Sequence, residues 1–407
     1  MNCRHCSAPL EHVFLDLGFA PPSNAYLSEA DLALPEKYYP LKVMVCEHCW
    51  LVQTEDYAGA DELFNDEYAY FSSTSTSWLE HARQFSSESV ERFHLDKTSL
   101  VIEIASNDGY LLKNYLDLGV PCLGIEPTAS TAAAAERLGI PVLREFFGEA
   151  LGKRLADEGQ SADLIVGNNV LAHVPDINDF ARGLKCALKR GGTVSVEFPH
   201  LMRLIERTQF DTVYHEHFSY LSLHAVQRIF REAGLRVFDV TELSTHGGSL
   251  RVFACQLGDS RPDSTSVTAV LSREVEAGLL SLRTYTDFQR RADMLKNEFL
   301  SFLIEQKKAG LTVAAYGAAA KGNTLLNYAG VKPDLLPFVC DAALAKQGKY
   351  LPGSHIAVLK PAALFSMPPD YLIILPWNIA DEVREQFSGK LAHKTRFVTA
   401  VPRLSIF

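Results

Sequence analysis

The sequence contains no apolar run of about 18 residues, the length that a membrane-spanning helix needs. It also has no cluster of basic residues, and its formal net charge is −10. Nucleic-acid binding depends mainly on basic side chains that displace phosphate counterions, so a nucleic-acid partner is not expected. The first residues show neither the basic nor the apolar segment of a secretory signal. We therefore expect a cytoplasmic protein without membrane partners.

Cysteine is scarce, with 8 in 407 residues, but four of these form two Cys-x-x-Cys pairs, Cys3 with Cys6 and Cys46 with Cys49. Four thiolates at this spacing are typical of a closed tetrahedral zinc site, which is structural because catalysis needs an open coordination position. Two redox-active pairs are the alternative. A module of this size has little core of its own, so the metal is expected to supply much of its folding energy.

The length of the chain and its pattern of apolar runs predict two further domains. Between residues 99 and 257, apolar runs alternate with helical segments, which indicates a parallel sheet with crossover helices. The last two runs, 235–241 and 249–256, are close enough to form an antiparallel hairpin. Connecting helices over 263–310 lead to a second α/β pattern. We predict an α/β protein with domains over 1–66, 67–260 and 261–407.

A small, acidic turn follows the first buried strand of the central domain, and a carboxylate, Glu126, ends the second strand. Such a turn at the carboxyl end of a strand favours a nucleoside ligand, and the carboxylate would accept hydrogen bonds from the ribose hydroxyls. The turn lacks the three glycines of a dinucleotide-binding loop, which disfavours NAD. S-adenosylmethionine (SAM) has no pyrophosphate and suits the turn better, although a βα turn without function is the alternative. The candidate cofactor residues are Glu103, Ala105, Asn107, Asp108, Gly109 and Glu126, with Asn168 and Asn169 after the fourth strand.

The densest chemistry lies within Asp211–Tyr220, whose last seven residues, from Tyr214 onward, contain two histidines, a carboxylate and two tyrosines. Histidine ordinarily titrates near neutrality, as a general base should. Metal binding by His215 and His217 and a hydrogen-bonded structural turn are the two alternatives. His173 and the glycine-flanked His246 are further candidates for substrate contact, although His173 is equally well explained as a structural histidine.

The C-terminal domain opens with a strand and a turn of small residues that carries Lys321 and leads to a helix predicted to begin near Asn323. A helix amino end beside a lysine favours an anion such as a pyrophosphate. A tight packing turn is the alternative. An aromatic and hydroxyl-rich segment over 67–76, which includes Tyr68, is either a lid over the ligand or a linker.

Taken in order, the four cysteines, the Glu103–Gly109 turn, Tyr-His-Glu-His, Thr-His-Gly-Gly-Ser and Gly-Ala-Ala-Ala-Lys-Gly-Asn closely resemble the sugar C-methyltransferases that act on nucleotide-linked 4-keto deoxysugars. The resemblance covers nearly all of the chain. It implies a zinc-binding N-terminal module, a central class I methyltransferase domain with a Rossmann-like fold, and a C-terminal Rossmann-like domain that helps to hold the nucleotide-sugar, with a dTDP-sugar favoured.

By the same resemblance, His217 is the base, Tyr214 and Glu216 are its neighbours, and Tyr68 and His173 line the sugar pocket. Lys321, Asn323 and His246 are then the candidate contacts to the substrate. The implied reaction removes a proton beside the keto group and transfers the methyl group of SAM to that carbon, leaving S-adenosylhomocysteine (SAH). Two other classes stay open: an O- or N-methyltransferase of the same fold, and a non-catalytic nucleotide-sugar-binding protein.

Overall fold

The structure is a computed structural model that describes residues 1–57, 72–391 and 395–407. The strands of these described residues form three sheets of four, seven and six strands. Tyr68 lies outside the described residues, and so does the first half of the segment 67–76, which was predicted to be a lid or linker.

The N-terminal sheet has the order β1-β2-β3-β9 and is antiparallel throughout. Its strands are β1 (His12–Ala20), β2 (Tyr39–Val45), β3 (Val52–Thr54) and β9 (Ser219–Tyr220). A 3-10 turn, Asp31–Ala33, lies between the first two. The fourth strand comes from far along the chain, directly after the His-Glu-His segment, so the sheet is completed by the central domain.

The central sheet has the order β10-β11-β8-β7-β4-β5-β6, and only its β8–β11 and β10–β11 pairs are antiparallel. The predicted final hairpin is therefore confirmed. The strands are β4 (Val101–Ile104), β5 (Cys122–Ile125), β6 (Val142–Leu143), β7 (Ala162–Asn168), β8 (Leu188–Pro199), β10 (Leu235–Leu243) and β11 (Ser249–Gln256). The described helices of this part are α1 (Thr76–Phe93), α2 (Leu112–Asp117), α3 (Ala129–Arg137), α4 (Glu149–Asp157), α5 (Ile177–Ala187), α6 (Leu201–Glu206) and α7 (Leu223–Glu232).

The C-terminal sheet has the order β14-β13-β12-β15-β16-β17 and is parallel except for its last strand. The strands are β12 (Val313–Tyr316), β13 (Phe338–Cys340), β14 (Ala357–Leu359), β15 (Tyr371–Ile374), β16 (Arg396–Thr399) and β17 (Ser405–Ile406). The described helices are α8 (Thr265–Glu276), α9 (Leu282–Thr286), α10 (Phe288–Lys308), α11 (Ala320–Tyr328), α12 (Ala363–Ser366) and α13 (Ala380–Phe387). α11 begins at Ala320, earlier than predicted, because alanine and lysine are good helix formers and continue the helix toward β12.

In both parallel sheets the strand order reverses at a crevice, between β4 and β7 and between β12 and β15. Ligands of open α/β sheets bind at such switch points, outside the carboxyl ends of the strands. The N-terminal module packs on both of these sheets. Its cysteines belong to the hydrophobic cluster of the central sheet, and Phe14 of β1 stacks on Phe288 of α10, next to the C-terminal sheet, with 4.5 Å between the ring centroids. Among the described residues, no helix is both long enough and apolar enough to cross a membrane.

Candidate active site

The four cysteines of the two Cys-x-x-Cys pairs come together in one cluster. Their sulfur atoms all lie within 4.8 Å of one another, and none of the cysteines is in a disulfide. Cys3 lies 3.5 Å from Cys49, and Cys6 lies 3.5 Å from Cys46. Four sulfurs at these separations fit a tetrahedral zinc ion, whose bonds to sulfur are about 2.3 Å long.

The turn after β4 has the strained backbone expected of a ligand-binding loop. Ala105, Asn107 and Gly109 all have positive φ angles, of 55°, 50° and 80°. At Gly109 a Cβ atom would lie 2.5 Å from the Ile140 side chain and 3.3 Å from the Ala135 backbone of α3, and the positive φ angle also favours glycine there. The side chains of Asn107 and Asp108 accept the backbone N–H groups of Ser72 and Ser73, at 3.0 and 3.1 Å. The segment before α1 is thereby fixed to the turn.

Glu126 stands at the end of β5, as predicted, but its carboxylate is not fully open to a ribose. One oxygen accepts the Asn107 N–H and the other accepts the Thr128 N–H, both at 2.9 Å. The side chain braces the turn, and the residue is only 5% exposed. Each carboxylate oxygen retains a second lone pair, so a hydroxyl can still be accepted.

Several buried side-chain oxygen atoms at the carboxyl ends of β4 and β7 have no hydrogen-bond partner among the described residues, as do other buried polar atoms elsewhere in the chain. Those at the two strand ends are Glu103 Oε2, Ser106 Oγ, Asp108 Oδ1, Asn168 Oδ1 and Asn169 Oδ1. Buried polar atoms nearly always have partners, so a ligand with several polar groups fits here. Burial raises the pKa of Glu103 well above its ordinary value, and the ammonium group of a bound amino acid moiety would oppose that rise.

His217 has a fixed tautomer. Its Nδ1 lies 2.9 Å from the Thr212 carbonyl oxygen, which can only accept, so Nδ1 carries the proton and Nε2 keeps its lone pair. The Tyr214 ring lies 4.0 Å and the His173 ring 4.6 Å from the imidazole, centroid to centroid. Burial, followed by the proximity of His173, lowers the pKa of His217 well below its ordinary value. We expected a pKa near neutrality, and the solvent exclusion of this loop accounts for the difference.

The neighbours of His217 in sequence point elsewhere. His215 Nε2 lies 3.2 Å from the Pro40 carbonyl oxygen, and Glu216 accepts a hydrogen bond of 2.7 Å from the Asn24 side chain. Among the described residues, only the four cysteines form a group able to hold a metal ion. Metal binding by His215 and His217 therefore has no geometric support.

Lys321 lies at the switch point of the C-terminal sheet. Its Nζ donates to Asn378 Oδ1 at 2.6 Å and lies 4.7 Å from the Trp377 ring centroid. Trp377 in turn donates a hydrogen bond of 2.7 Å to Asp211. Asp211 precedes Thr212, whose carbonyl oxygen accepts the hydrogen bond from His217. Burial lowers the pKa of Lys321 and raises that of Asp211 to about 6. The lysine therefore stands between the C-terminal crevice and the His217 loop.

Asn323 and His246 occupy different surroundings. Asn323 is 1% exposed, and its side-chain amide donates to the Ser23 carbonyl oxygen at 2.6 Å, so that donor joins α11 to the N-terminal module. His246 Nε2 lies 3.1 Å from the Asn169 side chain at the cofactor edge. Burial lowers the pKa of His246 to about 4, and the ring is therefore neutral near pH 7.

The sequence interpretation missed a polar cluster below α1. Glu197 of β8 lies 2.8 Å from His81 and 2.7 Å from Arg251, and it accepts from Thr245 at 2.8 Å. Burial alone would raise the pKa of Glu197, but these partners outweigh it and lower the pKa to about 2. Trp78 stacks on His81 at 4.9 Å. The only available sequence signal was the placement of Glu197 near the carboxyl end of a strand. Trp377 and Asn378 were missed as well, and their only signal was that they follow the end of β15.

Comparison with known proteins adds three matches along the chain. Residues 3–64 match a model of a zinc binding domain, residues 78–240 a methyltransferase domain, and residues 244–402 a C-methyltransferase C-terminal domain. The C-methyltransferase NovU of Streptomyces niveus is 33% identical over 401 residues, covering 98% of this chain and 95% of NovU. This chain belongs to the C-methyltransferase family.

Two of the solved structures that are similar to part of this chain are methyltransferases. One is magnesium protoporphyrin IX methyltransferase (ChlM) from Synechocystis PCC 6803 with bound SAH, at 14% identity and a TM-score of 0.36, covering 44% of this chain and 83% of that one. Another is the glycopeptide N-methyltransferase MtfA complexed with SAM, at 16% identity and a TM-score of 0.34, covering 44% and 93%.

The resemblance drawn from the motifs is thus confirmed at the level of the family and the fold. The chain is a C-methyltransferase with an N-terminal zinc-binding module, in which Cys3, Cys6, Cys46 and Cys49 form the cluster that would hold the ion. The identity of the methyl acceptor and the roles of the single residues belong to the proposal that follows.

Proposed function

We propose that this C-methyltransferase methylates the carbon beside the keto group of a nucleotide-linked 4-keto deoxysugar, with a dTDP-sugar favoured. The observation that carries the proposal is His217, whose Nε2 lone pair is left available by the Nδ1 bond to Thr212. Deprotonation of carbon needs such a base. We also propose a cytoplasmic location, where thiols stay reduced, and domain bounds of 1–66, 67–260 and 261–407.

SAM is proposed to lie across the carboxyl ends of β4, β5 and β7. The backbone of Ala105 and Gly109 and the polar groups of Glu103 and Asp108 would hold its amino acid end, and Glu126 its ribose. Asn107, Asn168 and Asn169 complete the proposed cofactor site. Its orphaned buried oxygen atoms support this placement, since they match a ligand rich in donors.

The proposed reaction proceeds in two steps on the sugar. His217 Nε2 takes the proton from the carbon, and the electron pair of that C–H bond moves into an enolate whose charge rests on the keto oxygen. The enolate carbon then attacks the methyl group of SAM in line, and the S–C bond electrons stay on sulfur to give SAH. Tyr214, whose ring lies against His217, is the proposed donor to the developing oxyanion.

Lys321 is proposed to pair with the diphosphate of the substrate. It lies at the C-terminal switch point, beside Asn378 and Trp377, where a phosphate of an α/β ligand is expected. Part of the lowering of the His217 pKa comes from the Lys321 charge. Neutralising that charge with a diphosphate would raise the pKa of His217 again and strengthen the base when the substrate is bound.

The remaining candidates are given supporting roles. His173 and Tyr68 are proposed to line the sugar pocket, and His246 to contact the substrate beside Asn169. Glu216 and Asn323 would act by holding the loops around the pocket, because they form hydrogen bonds with Asn24 and Ser23 of the N-terminal module.

Incubation with labelled SAM and a panel of nucleotide-linked 4-keto sugars tests the proposal, with the position of the methyl group read by NMR. We expect label on the carbon next to the keto group. Label on oxygen or nitrogen would instead make the protein an O- or N-methyltransferase. Tight binding of the nucleotide-sugar without any transfer would indicate a non-catalytic binding protein.

A further inference from the structure

The zinc module supplies the strand against which the His217 loop is anchored. β9 begins just after His217 and pairs with β3, where Gln53 lies opposite Ser219. The Thr54 N–H donates to the Phe218 carbonyl oxygen at 3.1 Å, and the Thr54 hydroxyl lies 3.4 Å from the His217 carbonyl oxygen. The backbone of the proposed base is therefore held by β3.

Gln53 joins this strand to the cysteines. Its side-chain N–H donates to Cys3 Sγ at 3.2 Å, and its side-chain oxygen accepts the Arg4 N–H at 2.9 Å. The residue is fully buried, with 0% exposure. Groups that hydrogen-bond to metal ligands orient those ligands and tune the site. Both polar groups of the Gln53 side chain thus form hydrogen bonds with the first zinc knuckle, while the Gln53 backbone pairs with β9.

Arg4 reinforces the same connection from inside the knuckle. Its guanidinium donates to the Thr54 carbonyl oxygen at 3.1 Å and to the Pro175 carbonyl oxygen at 2.8 Å. It also lies 5.5 Å from the ring centroid of Phe218, next to His217. The knuckle, β3 and the catalytic loop therefore form one hydrogen-bonded unit.

We propose that Gln53 is a positioning residue that couples the geometry of the zinc site to His217. It acts through β3 and β9. The proposal rests on the role given to His217 above. It predicts that the metal, although structural, sets the rate of the chemical step by fixing the loop that carries the base.

The test is Gln53→Met, which keeps the volume of the side chain but removes both hydrogen bonds. Gln256→Met is the matched control, because Gln256 donates one side-chain bond to the Leu188 carbonyl oxygen, away from this loop. We expect Gln53→Met to retain zinc, to bind SAM with unchanged affinity, and to lose about 10- to 100-fold in kcat, the range found for groups that support metal ligands. Hydrogen–deuterium exchange of the peptides covering 213–221 should accelerate several-fold, with no change over 101–126.

Unchanged exchange over 213–221 in Gln53→Met would overturn the proposal, and so would faster exchange spread evenly over the whole chain. If Gln53→Met is insoluble, Gln53→Glu decides the matter, because it keeps an oxygen for the Arg4 N–H but loses the N–H that is donated to Cys3: faster exchange of the same peptides supports the coupling, and unchanged exchange rejects it. Exchange is measured without substrate. A parent protein inactive on every 4-keto sugar would therefore defeat the proposed function while leaving this result readable.

Discussion

His217 combines two properties that single-residue changes can separate. Its Nδ1 bond to Thr212 fixes the ring, and its Nε2 is the proposed base. We expect His217→Asn to lose about 10²- to 10⁴-fold in rate, the usual contribution of a general base, while both ligands still bind. The same variant should lose deuterium wash-in at the carbon beside the keto group, measured by NMR of the nucleotide-sugar in D₂O.

His12→Asn is the control, since His12 lies in β1 and its imidazole lies 3.2 Å from the carboxylate of the exposed Glu47. Wash-in that persists in His217→Asn would reject His217 as the base and direct attention to Tyr214. An O-methyltransferase would show no wash-in even in the parent protein, because no carbon acid is deprotonated.

The low pKa of His217 makes a prediction about the pH profile. A base acts in its neutral form, so a lowered pKa extends the active range toward acidic pH. The acid limb of kcat/KM, which reports the free enzyme, should therefore lie below about 6.5, the ordinary histidine value. If the diphosphate neutralises Lys321, the limb of kcat, which reports the bound complex, should lie at higher pH than that of kcat/KM.

The pH dependence of kcat and of kcat/KM, measured between about pH 5 and 8, tests whether the pKa of His217 lies below the ordinary pKa of histidine. An acid limb of kcat/KM at or above the ordinary value would show that burial does not lower the pKa of the base. Coincident limbs for kcat and kcat/KM would place the diphosphate away from Lys321.

At the scale of elements, the turn between β12 and α11 depends on the close approach of β15. Gly317 has a φ of +89°, and a Cβ there would lie 2.3 Å from Pro376. Gly310 has a φ of +73° but no atom within 4 Å of its hypothetical Cβ. Both glycines therefore have a left-handed backbone conformation, but only Gly317 lies against Pro376, just beyond the end of β15.

We expect Gly317→Ala and Gly310→Ala each to lose about 1 kcal/mol of unfolding free energy from the left-handed backbone. Only Gly317→Ala should displace the Lys321 turn from Trp377, which would weaken nucleotide-sugar binding about tenfold or more, as expected when a site is misplaced by about 1 Å. Calorimetry with the nucleotide-sugar and with SAM separates the effects. Equal nucleotide-sugar affinities in the two variants would mean that the turn only packs.

Most strands of both parallel sheets were predictable because they are short apolar runs between turns, and buried strands have that composition. The short β14 and β17 were not predicted. β9 was not predictable, since two residues, Ser219 and Tyr220, carry no periodicity and their partners in β3, Gln53 and Val52, lie far away in sequence. The cysteine spacing identified the zinc ligands. Nothing local indicated that Glu126 would brace Asn107, because a hydrogen bond across a sheet edge depends on the tertiary structure.

At the scale of the whole molecule, the zinc module packs on both larger domains. Its cysteines belong to the core of the central sheet, while β1–β3 pack with α10 and β12. Arg4 and His5 lie between the first two zinc ligands, and both bond to the segment 175–178. Loss of the metal should therefore destabilise parts of the protein well beyond the first 57 residues.

Cys46→Ser tests this dependence, because Cys46 is fully buried and supplies one of the four thiolates. We expect zinc content, solubility and melting temperature to fall together, since structural zinc contributes directly to folding free energy. Because the modules share their cores, unfolding should stay a single transition that moves to lower temperature. Cys186→Ser is the control, as Cys186 lies outside the cluster. A Cys46→Ser protein that is metal-free yet melts like the parent would contradict the structural role of zinc, and a separate early transition would mean that the zinc module unfolds alone.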